Sequence, residues 1–97
     1  MAFLVDRTFT RTDAGTAWPW ESMAASDTST LESSRTTHSV SQAITAADDG
    51  LSITYRESCA SYDAYLPYFE VAQPIWQANN LGTASGISFT HTVVENT

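Results

Sequence analysis

The stretch Val40–Tyr55, VSQAITAADDGLSITY, constrains the fold more than any other part of the chain. Two alternating segments flank Asp49-Gly50, a dipeptide that accepts the positive φ angles of a two-residue type I′ turn. Gly50 adopts such a backbone at least cost. A turn at this point sets Asp48 opposite Leu51, Ala46 opposite Ile53 and Ile44 opposite Tyr55. The larger apolar side chains then share one face, and Thr45 and Thr54 share the other. A slip of one residue would put Ile44 against Thr54 and split the apolar face, so turn chemistry and side-chain pattern specify the same β-hairpin register.

Ala2–Thr12 alternates as a strand, with Phe3, Val5 and Phe9 on one face and Asp6, Thr8 and Thr10 on the other. Arg7 falls in phase with the apolar face. An unpaired guanidinium is expensive there, so either a carboxylate meets it or the strand end opens to water or to a partner. After a turn at Asp13–Gly15, Trp18 and Trp20 flank Pro19, a residue suited to the first position of a short helix. The two indoles pack under a loop, lie at an association surface or form a platform for a carbohydrate or aromatic ligand.

Ala24–Thr37 holds Leu31 as its only large apolar residue, so the first helix is expected to be weak or irregular: a short segment capped by Asp27 or Ser29 and running through Glu32, or a loop. Ser58–Gly82 carries the densest apolar pattern. Tyr62, Tyr65, Leu66 and Phe69 follow the i, i+3, i+4, i+7 spacing of one helical face, extended by Val71, Ala72, Ile75 and Trp76. Ser58 or Ser61 serves as the cap. Pro67 and Pro74 predict two pieces, 59–66 and 69–81, with Asn80-Leu81-Gly82 as the stop. Gly86–Glu95 alternates again as a last strand, with Ile87, Phe89, His91 and Val93 on one face.

The order strand, helix, hairpin, helix, strand is βαββαβ, which predicts an α+β fold of ferredoxin-like type: a four-stranded antiparallel sheet with helices on one face. At 97 residues the chain is read as one domain, 1–97, burying about 60–65% of its unfolded surface. The first strand is central in this topology, so Arg7 is expected to neighbour Tyr55 and Glu57 on one side and His91 on the other. These four residues could hold an anionic small molecule or position a proton donor. They could equally form a structural Arg7–Glu57 pair beside a hydrogen-bonded His91.

Four arginines, no lysine and a net charge of −7 argue against nucleic acid and against an anionic membrane surface as partners. The absence of lysine removes Schiff-base and P-loop chemistry. His38, His91, Cys59 and the scattered acids lack metal-ligand spacing, so neither a metal nor a cofactor is expected. No G-x-S-x-G elbow supports a hydrolase. Cys59 is the only cysteine, which excludes an intrachain disulfide and suits a reducing compartment. The one apolar run near the start, Phe3–Val5, is too short for a leader or a span, so a soluble protein, cytoplasmic or virion-associated, is expected.

On the Asp49-Gly50 hairpin, the bent helix ending at Leu81-Gly82 and the closing strand Ile87–Val93, the chain resembles the dimeric α/β-barrel group of ferredoxin-like domains. It is also similar to small proteins of marine viruses and environmental samples. The Ser/Thr-rich first crossover departs from that group's full helix. The resemblance implies sheets paired across a two-fold axis. Some members are cofactor-free monooxygenases or haem-degrading enzymes, but no motif here carries their site residues over. The expected function is a non-enzymatic structural module, a homodimer or a component of a larger particle such as a virion, with Trp18, Trp20 and Trp76 as interface residues. The alternative is a small-ligand binder or cofactor-free enzyme built on Arg7, Tyr55, Glu57 and His91. A third expectation is an antitoxin-like inhibitor whose negative charge meets a basic partner.

Overall fold

The computed structural model describes residues 2–97. Its central strand is β1 (Phe3–Arg11), which pairs antiparallel with β3 (Ser52–Cys59) on one side and β4 (Ile87–Asn96) on the other. The strand β2 (Ser41–Ala46) adds outside β3, giving the sheet order β2-β3-β1-β4. Two helices, α1 (Ala25–Thr37) and α2 (Tyr62–Ala78), complete the ferredoxin-like α+β arrangement. A single 3-10 turn, Pro19–Ser22, precedes α1 as the Pro19 position suggested.

Period-two alternation along β1 decides where each layer sits. Phe3 and Val5 enter the main core with Leu31 and Val40 from the α1 side, Cys59 from β3, and Tyr65, Tyr68 and Ala72 from α2. Phe9 is buried apart from them, against Trp20, Tyr55 and Phe89. Arg7 lies between the two apolar groups. On the opposite face, Thr8 and Thr54 share a hydrogen bond of 2.9 Å and Arg56 holds Asp6 through two bonds.

The hairpin register is the expected one, with Ala46 opposite Ile53 and Ile44 opposite Tyr55. Its turn differs. The Gly50 N–H bonds back to the Ala47 carbonyl, and Gly50 takes a positive φ of 73° whereas Asp49 does not. Asp49 instead accepts from the Leu51 N–H through Oδ1, so the loop is four residues long and the aspartate contributes its side chain rather than a left-handed backbone. Both turns keep the same pairing because each is symmetric about the same point.

α2 is one helix of 17 residues, not two pieces. Pro67 and Pro74 are seven residues apart and therefore share a face, and both are exposed. The carbonyls they leave without a donor, those of Asp63 and Glu70, belong to exposed residues and can bond to water, so the helix continues. Ser61 is the cap, accepting from the Ala64 N–H at 3.1 Å. The buried stripe is Tyr65, Tyr68 and Ala72, whereas Tyr62 and Val71 are exposed.

α1 is also fuller than the sequence suggested: 13 residues long, starting after Ala24 rather than at an Asp27 or Ser29 cap. Its weakness is in packing, since only Leu31 and Ser34 are buried. Both helices end in the same way. The N–H of Val40 reaches the Arg35 carbonyl at 2.9 Å and that of Leu81 reaches the Trp76 carbonyl at 3.0 Å, closing Schellman turns over Ser39 and Asn80. Asn80 is a usual residue for that left-handed position; Ser39, at φ 56°, is not. Ser39→Gly is therefore expected to raise stability by about 0.5–1 kcal/mol, read as a higher urea midpoint with an unchanged m-value.

Candidate functional site

The site is built outward from β1. Arg7 sits directly between Tyr55 on β3 and His91 on β4 in the sheet register. Its guanidinium turns toward Glu57, two residues along β3, and the two form an ion pair. Both are withdrawn from water: Arg7 is 7% exposed and Glu57 is 1% exposed. A second Arg7 nitrogen donates to the Tyr65 hydroxyl at 2.7 Å. That hydroxyl donates to Glu57 Oε1 at 2.7 Å, and the Tyr68 hydroxyl donates to Oε2. Each Glu57 oxygen is thus committed to protein donors, which is how a charge can be kept in such a place.

α2 supplies the cover. Trp76 lies 4.3 Å from the guanidinium carbon of Arg7 and stacks a cation–π contact on it. Burial, then the Glu57 charge, pushes the Tyr65 and Tyr68 phenols well above the ordinary tyrosine value. Burial also raises Tyr55. His91 moves the other way, lowered first by burial and then by the Arg7 charge, so the neutral imidazole is favoured.

Between this cluster and the Phe9 group the sheet and helices do not close on each other. A half-open cavity of about 740 Å³ remains, with Arg7, Glu57, Tyr55 and His91 in its lining. Its walls are mainly apolar, built from Phe9, Trp20, Leu31, Phe69, Trp76 and Phe89. The four residues that sequence reasoning grouped are therefore brought to one place, in two different settings. Arg7 and Glu57 are paired in the floor; Tyr55 packs edge-on against Phe9 and Trp20, and His91 stands at the exposed strand β4.

Of the tryptophans, Trp20 and Trp76 line the cavity. Trp18 stacks on Trp20 with centroids 5.1 Å apart and lies under Arg11. Arg11 in turn donates to the carbonyls of Gly50 and Thr16, tying the hairpin turn to the β1–α1 loop. Sequence reasoning missed the Tyr65 and Tyr68 hydroxyls and Arg35, which also lines the cavity. A signal for each was present: tyrosines three apart on a helix that must face an inward arginine and glutamate, and an arginine four residues after Leu31, the one large apolar residue of α1.

Cys59 is buried and unpaired, as a small hydrophobe would be. Among the described residues no group of three or more His, Cys, Asp or Glu side chains could hold a metal ion, and no helix is long and apolar enough to cross a membrane. The fold and site together define a ferredoxin-like α+β protein with an aromatic cavity between its helices and sheet. No family model matches the chain, and no curated protein matches it.

The raised phenols give stability a direction with pH. A group that holds its proton more tightly when folded contributes fully below its unfolded value and loses that contribution above it. Stability is therefore expected to decline as pH rises past about 10. In a Tyr65→Phe/Tyr68→Phe variant the decline should be shallower, although that variant starts less stable at neutral pH; urea titrations from pH 8 to 11.5 would show it. An equal slope in both proteins would contradict the burial of these hydroxyls against Glu57.

Proposed function

We propose that the protein binds a small, largely apolar molecule in the cavity between the sheet and the two helices. The observation that carries this reading is a cavity of about 740 Å³ with aromatic walls above a buried polar floor. Ligand sites commonly fall in the range of about 300–1,000 Å³ and combine apolar lining with few, fixed polar groups. In a chain of this size an open cleft of this extent leaves several large aromatic side chains facing water, which a ligand would cover. The commitment of both Glu57 oxygens to protein donors favours binding over proton abstraction by that carboxylate.

The neutral dye N-phenyl-1-naphthylamine tests this reading. It is expected to bind with 1:1 stoichiometry and micromolar affinity, with energy transfer from tryptophan that falls in the Trp20→Phe and Trp76→Phe variants. A titration that does not saturate, or transfer insensitive to both substitutions, would overturn it.

A second reading, self-association as a homodimer or within a larger particle, rests on a different observation. On the edge strand β4, Val93 and Val94 are each 48% exposed, beside a register shift opposite Leu4 and Val5. β4 has a free edge, and apolar side chains on a free edge favour pairing with another strand. Light scattering is expected to report a dimer that Val93→Lys/Val94→Lys converts to monomer; a wild-type monomer at high micromolar concentration would sink the idea.

A further inference from the structure

We infer that the ligand of this cavity is an aromatic monoanion and that Arg35, near the end of α1, is the group that receives its charge. The inference rests on the proposed ligand-binding reading and deepens it. The chain has eleven acids and four arginines, yet two of the arginines and one acid line the cavity. With His91 held toward its neutral form, Arg7, Arg35 and Glu57 leave the lining with one positive charge in a strongly negative protein.

The four arginines have different occupations. Arg7 is paired with Glu57 and Arg56 with Asp6. Arg11 is consumed by two backbone carbonyls and the Trp18 ring. Arg35 has no carboxylate partner among the described residues. It is half-buried, lines the cavity and stands near the Tyr68 hydroxyl, where its charge opposes the rise of that phenol. The Tyr68 hydroxyl, which donates its own proton to Glu57, can accept from Arg35 through its oxygen, and that uses only part of a guanidinium with five N–H donors.

A planar guanidinium presents paired N–H donors that match a carboxylate or sulfonate, and partial desolvation strengthens such a pair. The large apolar side chains of the lining are mostly aromatic rings, Phe9, Trp20, Phe69, Trp76 and Phe89 among them, so the body of the molecule that fits is planar and apolar. Arg7 could not take this role without giving up Glu57, whereas Arg35 requires no rearrangement of the buried network.

The test compares two dyes of the same skeleton, the anionic 1-anilinonaphthalene-8-sulfonate and the neutral N-phenyl-1-naphthylamine, titrated by fluorescence into the wild-type chain and into Arg35→Gln. The sulfonate is expected to bind at least about ten-fold more tightly than the neutral dye, in keeping with one charge-assisted pair. Arg35→Gln should remove that advantage, weakening the sulfonate at least about ten-fold more than it weakens the neutral dye. Equal affinities in the wild type, or a preference for the anion that survives Arg35→Gln, would overturn the inference while the cavity reading stands. If neither dye binds stoichiometrically, both fail. Arg35→Lys, which keeps the charge and loses the planar fork, is expected to restore part of the preference; a response equal to that of Arg35→Gln would contradict a charge-receiving role.

Discussion

The Arg7–Glu57 pair is the constraint on which the remaining structure depends. Placing a guanidinium and a carboxylate on adjacent central strands, beneath helices, takes both out of water, and the loss of either partner would leave a buried charge worth about 3–5 kcal/mol. The pair alone does not satisfy the carboxylate. The hydroxyls of Tyr65 and Tyr68 complete it, and that requirement fixes the rotation of α2 about its axis. With the rotation set, Ala72 meets the sheet and Trp76 falls over the guanidinium, while Tyr62, Pro67, Val71 and Pro74 face outward. The polar cluster thus chooses the buried face of a helix whose apolar residues alone would permit more than one.

This explains which parts of the molecule could be read from the sequence. Strand faces were legible because alternation has a strict period of two, and antiparallel pairing about one turn assigns every opposite residue at once. The hairpin register, the inward phase of Ile87–Val93 and the meeting of Arg7, Tyr55, Glu57 and His91 all follow from that rule. The face of α2 was less legible. Apolar residues occupy most positions between Tyr62 and Trp76, so spacing supports several neighbouring stripes, and only the need of Glu57 for donors selects the one through Tyr68. Pro67 and Pro74 misled for a related reason: a proline breaks a helix where the freed carbonyl is buried, and here both fall on the wet side.

α1 was obscured by composition. Its small hydroxyl residues lack an apolar stripe, yet Thr28, Thr30 and Thr36 each return a side-chain hydrogen bond to the carbonyl four residues back, which keeps those hydroxyls satisfied within the helix. The helix is held at a few points rather than along a continuous stripe. Leu31 and the buried Val40 anchor it to the core, and Asp27 accepts from the Asn79 side chain at the end of α2. Such a helix has few large side chains with which to fill space below it.

The cavity follows from these two helices being attached so differently. α2 is drawn to the sheet by Tyr65, Tyr68 and Ala72, all nearly or fully buried. α1 brings Leu31 and little else, while Trp20 and Phe89 close the far end of the sheet around Phe9 without reaching the main core. An aromatic chamber is left between two separately packed clusters, with the charged network as its floor. A chain selected only for a closed core would place larger apolar residues along α1, because each buried methylene contributes about 0.8 kcal/mol. α1 stays small and polar on that side, with Arg35 in the lining of the opening, and it is this shortfall of apolar bulk that leaves the chamber on which the proposed ligand reading rests.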